Sequence, residues 1–243
     1  MLLVWSEKLL VEEDNMFKDF DTSPFKKMKP PGNNSFDTMQ EIKALSKIPL
    51  DKKFVKKYDN IESAFKQTAK ENNIADYDKK IAATLINDSA PVIIKLKEHF
   101  NRPRPKVSAV KMNINMKDIE MASMKTASYP SGHSVQGVLI GKALGDKYPK
   151  AKSAFNKTAE NISYSRRVAH AHYKSDSDMG EKLGNSMYKH IKNRTWKRKH
   201  QQKWIKSLLW LWKRNQQWLW RKNHQLEWWK RNRETPYTKS IIT

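Results

Sequence analysis

The chain has 243 residues, enough for one sizeable core or a core with an appendage. It contains no cysteine, which excludes a disulfide framework and thiolate metal sites and leaves any chemistry to other side chains. A formal net charge of +23 points to anionic partners, yet more than half of the excess lies from residue 192 onward, where fifteen Lys and Arg face only Glu227 and Glu234.

The N-terminal MLLVWSEKLLVEEDNMF has no basic leading region and puts Glu7 and Lys8 after only a few apolar residues, a poor secretory signal. No run of eighteen apolar residues occurs, so no membrane-spanning helix is expected and the protein is read as soluble and, by default, cytoplasmic. Residues 1–34 are mixed and close on Lys29-Pro30-Pro31-Gly32-Asn33-Asn34, a breaker cluster that predicts a loop-rich N-terminal segment.

From 35 to 193 the pattern is helical. Phe54, Tyr58, Ile61, Phe65 and Thr68 repeat at helical spacing, as do Ile81, Ala82, Leu85 and Ile86, with Pro91 expected to kink or restart that helix before Val92–Phe100. Residues 112–126 read as loop with a short helix. A helix opens at Ser131 and carries the apolar stripe Val135, Val138, Leu139, Ala143 and Leu144. Another starts at Pro149, and Ser175 or Asp176 is suited to N-cap the next. No period-two stretch bounded by hairpin turns is found, so the expectation is an all-α, single helical-bundle domain.

Residues 194–243 form a basic, Trp-rich tail of a different composition. Eight of the nine tryptophans lie at or beyond Trp196, and from Lys197 there is no Ala, Asp, Gly, Val, Met or Phe. So abrupt a break marks a domain edge or a departure from the proper reading frame, and the tail is read as a frameshifted or recent extension outside the fold. Its functional alternative is a cationic segment that lies on an anionic membrane surface or stacks on single-stranded nucleic acid.

Three segments collect phosphate chemistry. In Pro130–His133, a helix N-terminus offers free N–H groups and the positive end of the dipole. Gly132 permits close backbone approach, Ser131 adds a hydroxyl, and His133 sits where it can protonate a leaving alkoxide. In Ser165–Asp176, Arg166 offers a planar fork for two oxygens, and His172 and Asp176 lie four apart, close enough to pair. His170 shares a helical face with Arg166 and competes with His172. In 95–105, both Lys97…Arg104-Pro105 and Lys95…Arg102-Pro103 give a Lys and an Arg at the same spacing. Each segment in isolation also reads as an ordinary capped helix, His–Asp contact or solvated basic helix end.

Together they resemble the signature of the type 2 phosphatidic acid phosphatase superfamily, which includes class A bacterial acid phosphatases and vanadium haloperoxidases. Its pattern of Lys-x6-Arg-Pro, Pro-Ser-Gly-His and Ser-Arg-x5-His-x3-Asp is complete here, across about residues 35–193, and the likeness is closest to the class A acid phosphatases. The resemblance selects Lys97 and Arg104 in the first motif and Arg166, His172 and Asp176 in the third. It implies that Lys97, Arg104, Ser131, Gly132 and Arg166 hold the phosphoryl oxygens. His172, oriented by Asp176, attacks phosphorus to give a phosphohistidine, and His133 protonates the departing alcohol of a small phosphate ester. Three cationic side chains then carry the charge stabilisation, so neither a metal nor another cofactor is called for, and vanadate is an inhibitor. Three departures stand out: His170 where a small residue, often Gly, is usual, Lys174 where Pro is frequent, and Lys106 where an apolar residue often follows Arg-Pro. The alternatives are a haloperoxidase that uses vanadate as cofactor, and a non-catalytic protein that binds membrane or nucleic acid through the tail.

Overall fold

The computed structural model describes residues 15–194 together with 206, 207 and 209. The chain divides into two units, Met1–Lys192 and Asn193–Thr243, and all three motifs lie in the first. The expectations for the Trp-rich tail fall outside the described residues, save those three positions.

Among the described residues every regular element is helical and the fold is all-α. In chain order the helices are α1 (Ser23–Lys26), α2 (Phe36–Ser46), α3 (Lys52–Asp59), α4 (Ile61–Glu71), α5 (Lys79–Phe100), α6 (Pro105–Lys111), α7 (Gly132–Lys147) and α8 (Lys152–Val168). A ninth, α9, begins at residue 174 and continues to the end of this unit. Short 3-10 turns cover Ala122–Lys125 and Pro149–Ala151.

The α7–α8 pair is central, with α5 packed on α7 and with α3 and α4 on α8. Phe65, Leu96, Leu139, Ile140, Leu144, Phe155, Ile162 and Leu183 are fully buried between these helices. Each such side chain contributes about 1.5–3 kcal/mol relative to exposure. Residues 15–34 are irregular apart from α1, but they are not set apart from the domain. Phe17 and Phe25 join the core, and Asp88 of α5 accepts from the Met16 N–H at 3.0 Å.

Two expectations are corrected. The apolar run from Phe54 to Thr68 is two helices, because Asn60 leaves helical geometry (φ −88, ψ 103) and N-caps α4 by accepting from the Ser63 N–H at 2.8 Å. The break strands the backbone carbonyl of Asp59 at the end of α3. Helix α5 runs unbroken through Pro91. In the turn before the proline, the Ile86 carbonyl also accepts from Ser89 Oγ at 3.1 Å and Gln136 Nε2 at 3.3 Å.

Helix α9 lies against the start of α7. A Cβ at Gly180 would stand 2.6 Å from the Ser131 carbonyl oxygen, and one at Gly184 the same distance from that of Val135. Only the bare backbone fits at these positions, and this approach carries Asp176, at the head of α9, to the N-terminus of α7. The Ser131 N–H donates to the Asp176 carbonyl at 3.0 Å.

Candidate active site

The first motif turns at Asn101, a left-handed residue (φ 43) that closes α5 by donating its N–H to the Lys97 carbonyl at 2.8 Å. Lys97, in the last turn of α5, is buried and its Nζ donates to the Ala127 carbonyl. Lys95 is exposed. Both arginines of Arg102-Pro103-Arg104 are buried and both are engaged. Arg104 donates to the carbonyls of Thr126 and Ala171, each at 2.9 Å, and through Nη1 to His172 Nε2 at 2.9 Å.

That last contact fixes a tautomer. A guanidinium has no acceptor, so Nε2 of His172 accepts and the ring proton sits on Nδ1. Asp176 Oδ2 takes the Nδ1–H at 3.1 Å. The same oxygen accepts from Ser128 Oγ and from the Tyr173 N–H, while Arg102 Nη1 meets Oδ1 at 2.7 Å. Helix α9 starts at residue 174, ahead of both expected caps, so Asp176 lies in its first turn and reaches back to the Tyr173 N–H, half of a capping box.

In the second motif the Tyr129–Pro130 peptide is cis and Gly132 is the first residue of α7. Ser131 is fully buried, and its Oγ accepts from the N–H of Ser134 at 3.3 Å and from its hydroxyl at 2.9 Å. The structure therefore makes Ser131 the N-cap of α7 and does not set it on the pocket wall. His133 directs Nε2 at the stranded Asp59 carbonyl, 3.0 Å away. A carbonyl only accepts, so the neutral ring carries its proton on Nε2.

Arg166, near the end of α8, is 1% exposed. Its Nη1 pairs with Asp59 Oδ1 at 2.7 Å and its Nη2 contacts Met121 Sδ. His170, the competitor of His172, faces away: its two ring nitrogens meet the carbonyls of Lys117 and Ile48 at 2.6 and 2.9 Å.

Lys97, Arg104, Gly132, His133 and His172 line one pocket of about 180 Å³, with Ala90, Ile93 and Ile94 of α5 as its apolar wall. Of the eight positions selected from the sequence, these five share the pocket. Asp176 and Arg166 stand behind it, Asp176 against the wall residue His172 and Arg166 against Asp59, which also holds His133. Missed in the sequence were Asp59, which holds both Arg166 and His133, and Arg102, which holds Asp176. Asp59 was hidden inside an apparently continuous helical run. Arg102 was visible, but as a rival register of the same motif.

Burial governs the titration of the site. It pulls Lys97 down to about 7, helped by the charge of Arg104, and Arg104 down to about 10 against the pull of Asp176. It lowers Arg166 against the opposing Asp59. It brings His133 to about 4, with Arg166 adding to the effect. His172 is also held well below the usual histidine range by burial, against its hydrogen bond to Asp176. Burial alone would raise Asp176, but the His172 hydrogen bond and the charge of Arg102 outweigh it, and the carboxyl titrates below its ordinary value. The unliganded pocket thus pairs a neutral imidazole, its Nε2 lone pair facing a cationic wall, with an ionised carboxylate behind. Such a set can receive an anion and offer it a nitrogen nucleophile.

No family model matches the chain. A curated relative, the non-specific acid phosphatase of Salmonella typhimurium, is 31% identical over 88 residues. That match takes in 36% of this chain and spans 35%, about a third, of the relative's length. Among solved structures, the transmembrane PAP2 type phosphatidylglycerolphosphate phosphatase from Bacillus subtilis superposes with a TM-score of 0.45 at 19% identity, over 66% of this chain and 85% of that one. Among the described residues no helix is long and apolar enough to cross a membrane. Every fixed position of the three-motif signature is present and the curated match is an acid phosphatase, so over this stretch the chain is similar to proteins of the type 2 phosphatidic acid phosphatase superfamily.

Proposed function

We propose that the protein is a phosphatase that hydrolyses small phosphate monoesters through a phosphohistidine at His172. The observation that carries this reading is the hydrogen-bond chain Asp176 Oδ2–His172 Nδ1–H with Nε2 of the same ring in a pocket beside Lys97 and Arg104. A general carboxylate–histidine contact has no need of that orientation, whereas a nucleophile does.

In the first step Arg104 Nη1 moves from His172 Nε2 to a phosphoryl oxygen, the freed Nε2 lone pair forms a bond to phosphorus, and the P–O bond to the alcohol breaks. Lys97, Arg104 and the N-terminus of α7 at Gly132 hold the equatorial oxygens. Arg166 joins them once its pairing with Asp59 is exchanged for the anion. His133 hands the departing alkoxide a proton. Its pKa of about 4 describes the empty pocket, and a bound phosphate dianion offsets the Arg166 charge and raises it. In the second step His133 takes a proton from water as the oxygen attacks phosphorus, and the P–N bond breaks to free His172. These roles need no group beyond the side chains named.

The test is hydrolysis of p-nitrophenyl phosphate by the purified protein in EDTA, with and without vanadate, beside His172→Ala. Metal-independent, vanadate-inhibited turnover that vanishes in the variant supports the reading. A wild type that binds vanadate but shows no hydrolysis, and that oxidises halide with peroxide, would replace it with the haloperoxidase reading.

A further inference from the structure

Arg102 lies outside the pocket, yet it is 1% exposed and among the largest fully buried side chains of the protein. Its guanidinium bridges two carboxylates. Nη1 donates to Asp176 Oδ1 at 2.7 Å and to Ser175 Oγ at 2.7 Å, and Nη2 donates to Glu41 Oε2 at 2.8 Å. The guanidinium carbon sits 3.8 Å from the centroid of the Tyr173 ring. Glu41, from α2, also takes the Ser175 N–H at 2.7 Å. With Arg104 on His172 Nε2, the Arg102-Pro103-Arg104 tripeptide grips both ends of the Asp176–His172 pair.

We infer that Arg102 is a positioning residue: it holds the buried Asp176 carboxylate charged with Oδ2 turned to His172, and so keeps the His172 proton on Nδ1 and the lone pair on Nε2. Its kinetic consequence rests on the phosphatase reading above; its structural consequence does not. Asp176 is fully buried, and burial is the largest influence on its titration, in the direction of the neutral acid. Arg102 places a full positive charge on its outer oxygen and leaves the inner one free for Ser128, Tyr173 and His172. Glu41 and the Tyr173 ring keep the guanidinium in place, because an arginine fork satisfied at both arms and stacked on a ring has few other rotamers. If Asp176 became neutral, its pairing with Nδ1–H would lose charge assistance, and the Arg104 contact at Nε2 would be left as the one that favours this tautomer over Nε2–H, which has no lone pair to offer phosphorus.

The experiment compares wild type with Arg102→Met, which keeps bulk and removes charge and donors, and Arg102→Lys, which keeps charge but not the fork. Two readouts are used: the pH profile of kcat/KM with p-nitrophenyl phosphate, and the 15N chemical shifts of His172, which need no turnover. In Arg102→Met the acidic limb of the profile should move up by a pH unit or more, with activity partly recovered at higher pH. The His172 nitrogen shifts should move toward the Nε2–H form. Arg102→Lys should fall between, and it serves alone should Arg102→Met not fold. A uniform loss at every pH with unchanged nitrogen shifts would mean that Arg102 only supports packing, and would overturn the inference. A wild type without phosphatase activity would overturn the reading of the site instead, and the nitrogen shifts would still decide the role of Arg102.

Discussion

Asp59 occupies the Arg166 fork at 2.7 Å with its carboxylate while its backbone carbonyl holds the His133 ring at 3.0 Å. One residue at the end of α3 therefore engages both an arginine expected to receive phosphate and the histidine expected to protonate the leaving group. The two hydrogen bonds use different atoms, so the Arg166 pairing can be removed while the carbonyl still holds His133, whose Nε2 also lies 3.6 Å from Asp59 Oδ1.

Asp59→Asn removes the carboxylate charge and leaves the carbonyl. Arg166 then has no anionic partner to give up before it meets a ligand. Vanadate should bind more tightly, by a few-fold and about 1 kcal/mol at most, because the Asp59 side chain is 43% exposed and its charge is screened by solvent. Inhibition constants measured with p-nitrophenyl phosphate check this, and an unchanged or weaker constant would show that Asp59 does not compete for Arg166.

Lys97, drawn down to about 7 by burial and by Arg104, makes anion binding pH-dependent. The sign follows from which form binds: below pH 7 the ammonium is charged and receives an anion, and above it the free protein is increasingly neutral at this position. Sulfate, a dianion throughout the range, removes the ligand's own titration from the measurement. Its dissociation constant should rise above pH 7 toward tenfold per pH unit, and Lys97→Met should bind weakly with no such rise. A wild-type constant flat from pH 6 to 9 would contradict the assignment.

The same buried groups set stability. His133 and His172 titrate below the ordinary histidine value in the native state, His133 at about 4. Between that value and the ordinary 6.5 the unfolded chain carries protons that the native chain refuses, so unfolding takes up protons and stability falls as the pH falls through this window. The slope is about 1.4 kcal/mol per pH unit for each group at most. Melting temperature should drop from pH 6.5 to 4.5, His133→Gln should flatten the drop, and added phosphate should reduce it. A wild type that melts at one temperature across this range would exclude the effect.

Ser131 provides a sharper test of the motif. Because its Oγ caps α7 and it stands off the pocket wall, Ser131→Ala should lower stability by about 1 kcal/mol. It should change the sulfate dissociation constant much less than Lys97→Met does. Equal losses of affinity in the two variants would return the hydroxyl to the anion site.

The helical pattern, the N-cap of α7 at Ser131 and five of the residues that line the pocket were legible because each rests on local chemistry: periodicity, capping and a short motif. What was hidden depends on how segments meet. The end of α3 at Asp59 is set by the side chain of Asn60, a signal that the apolar spacing of Phe54, Tyr58 and Ile61 overrode. Arg102 repeats the spacing of Arg104, and only the fold sends one to the carboxylate and the other to the imidazole. His170 is the converse case, since the sequence marked it as unusual without saying why. Its φ of 55 lies in the left-handed region, which explains why a glycine is at home there. Its two contacts with the Lys117 and Ile48 carbonyls are what this chain gains by keeping a histidine.

Helix α9 brings Asp176 to the site only because Gly180 and Gly184 let it lie on α7, so a methyl group there should act at a distance. In Gly184→Ala the new Cβ stands 2.6 Å from the Val135 carbonyl oxygen, a backbone atom in the first turn of a packed helix that has no rotamer to change. Relief requires α9 to lift, at a cost of about 1–3 kcal/mol. The lift also moves Asp176 from His172, so kcat should fall although the substitution touches no residue of the pocket. Gly32→Ala is the control, because its Cβ would meet only Ser35 Cβ at 3.7 Å. Melting temperature and kcat measured for the two variants should separate widely, and a Gly184→Ala protein as stable and active as Gly32→Ala would show that the α7–α9 approach does not hold the carboxylate in place.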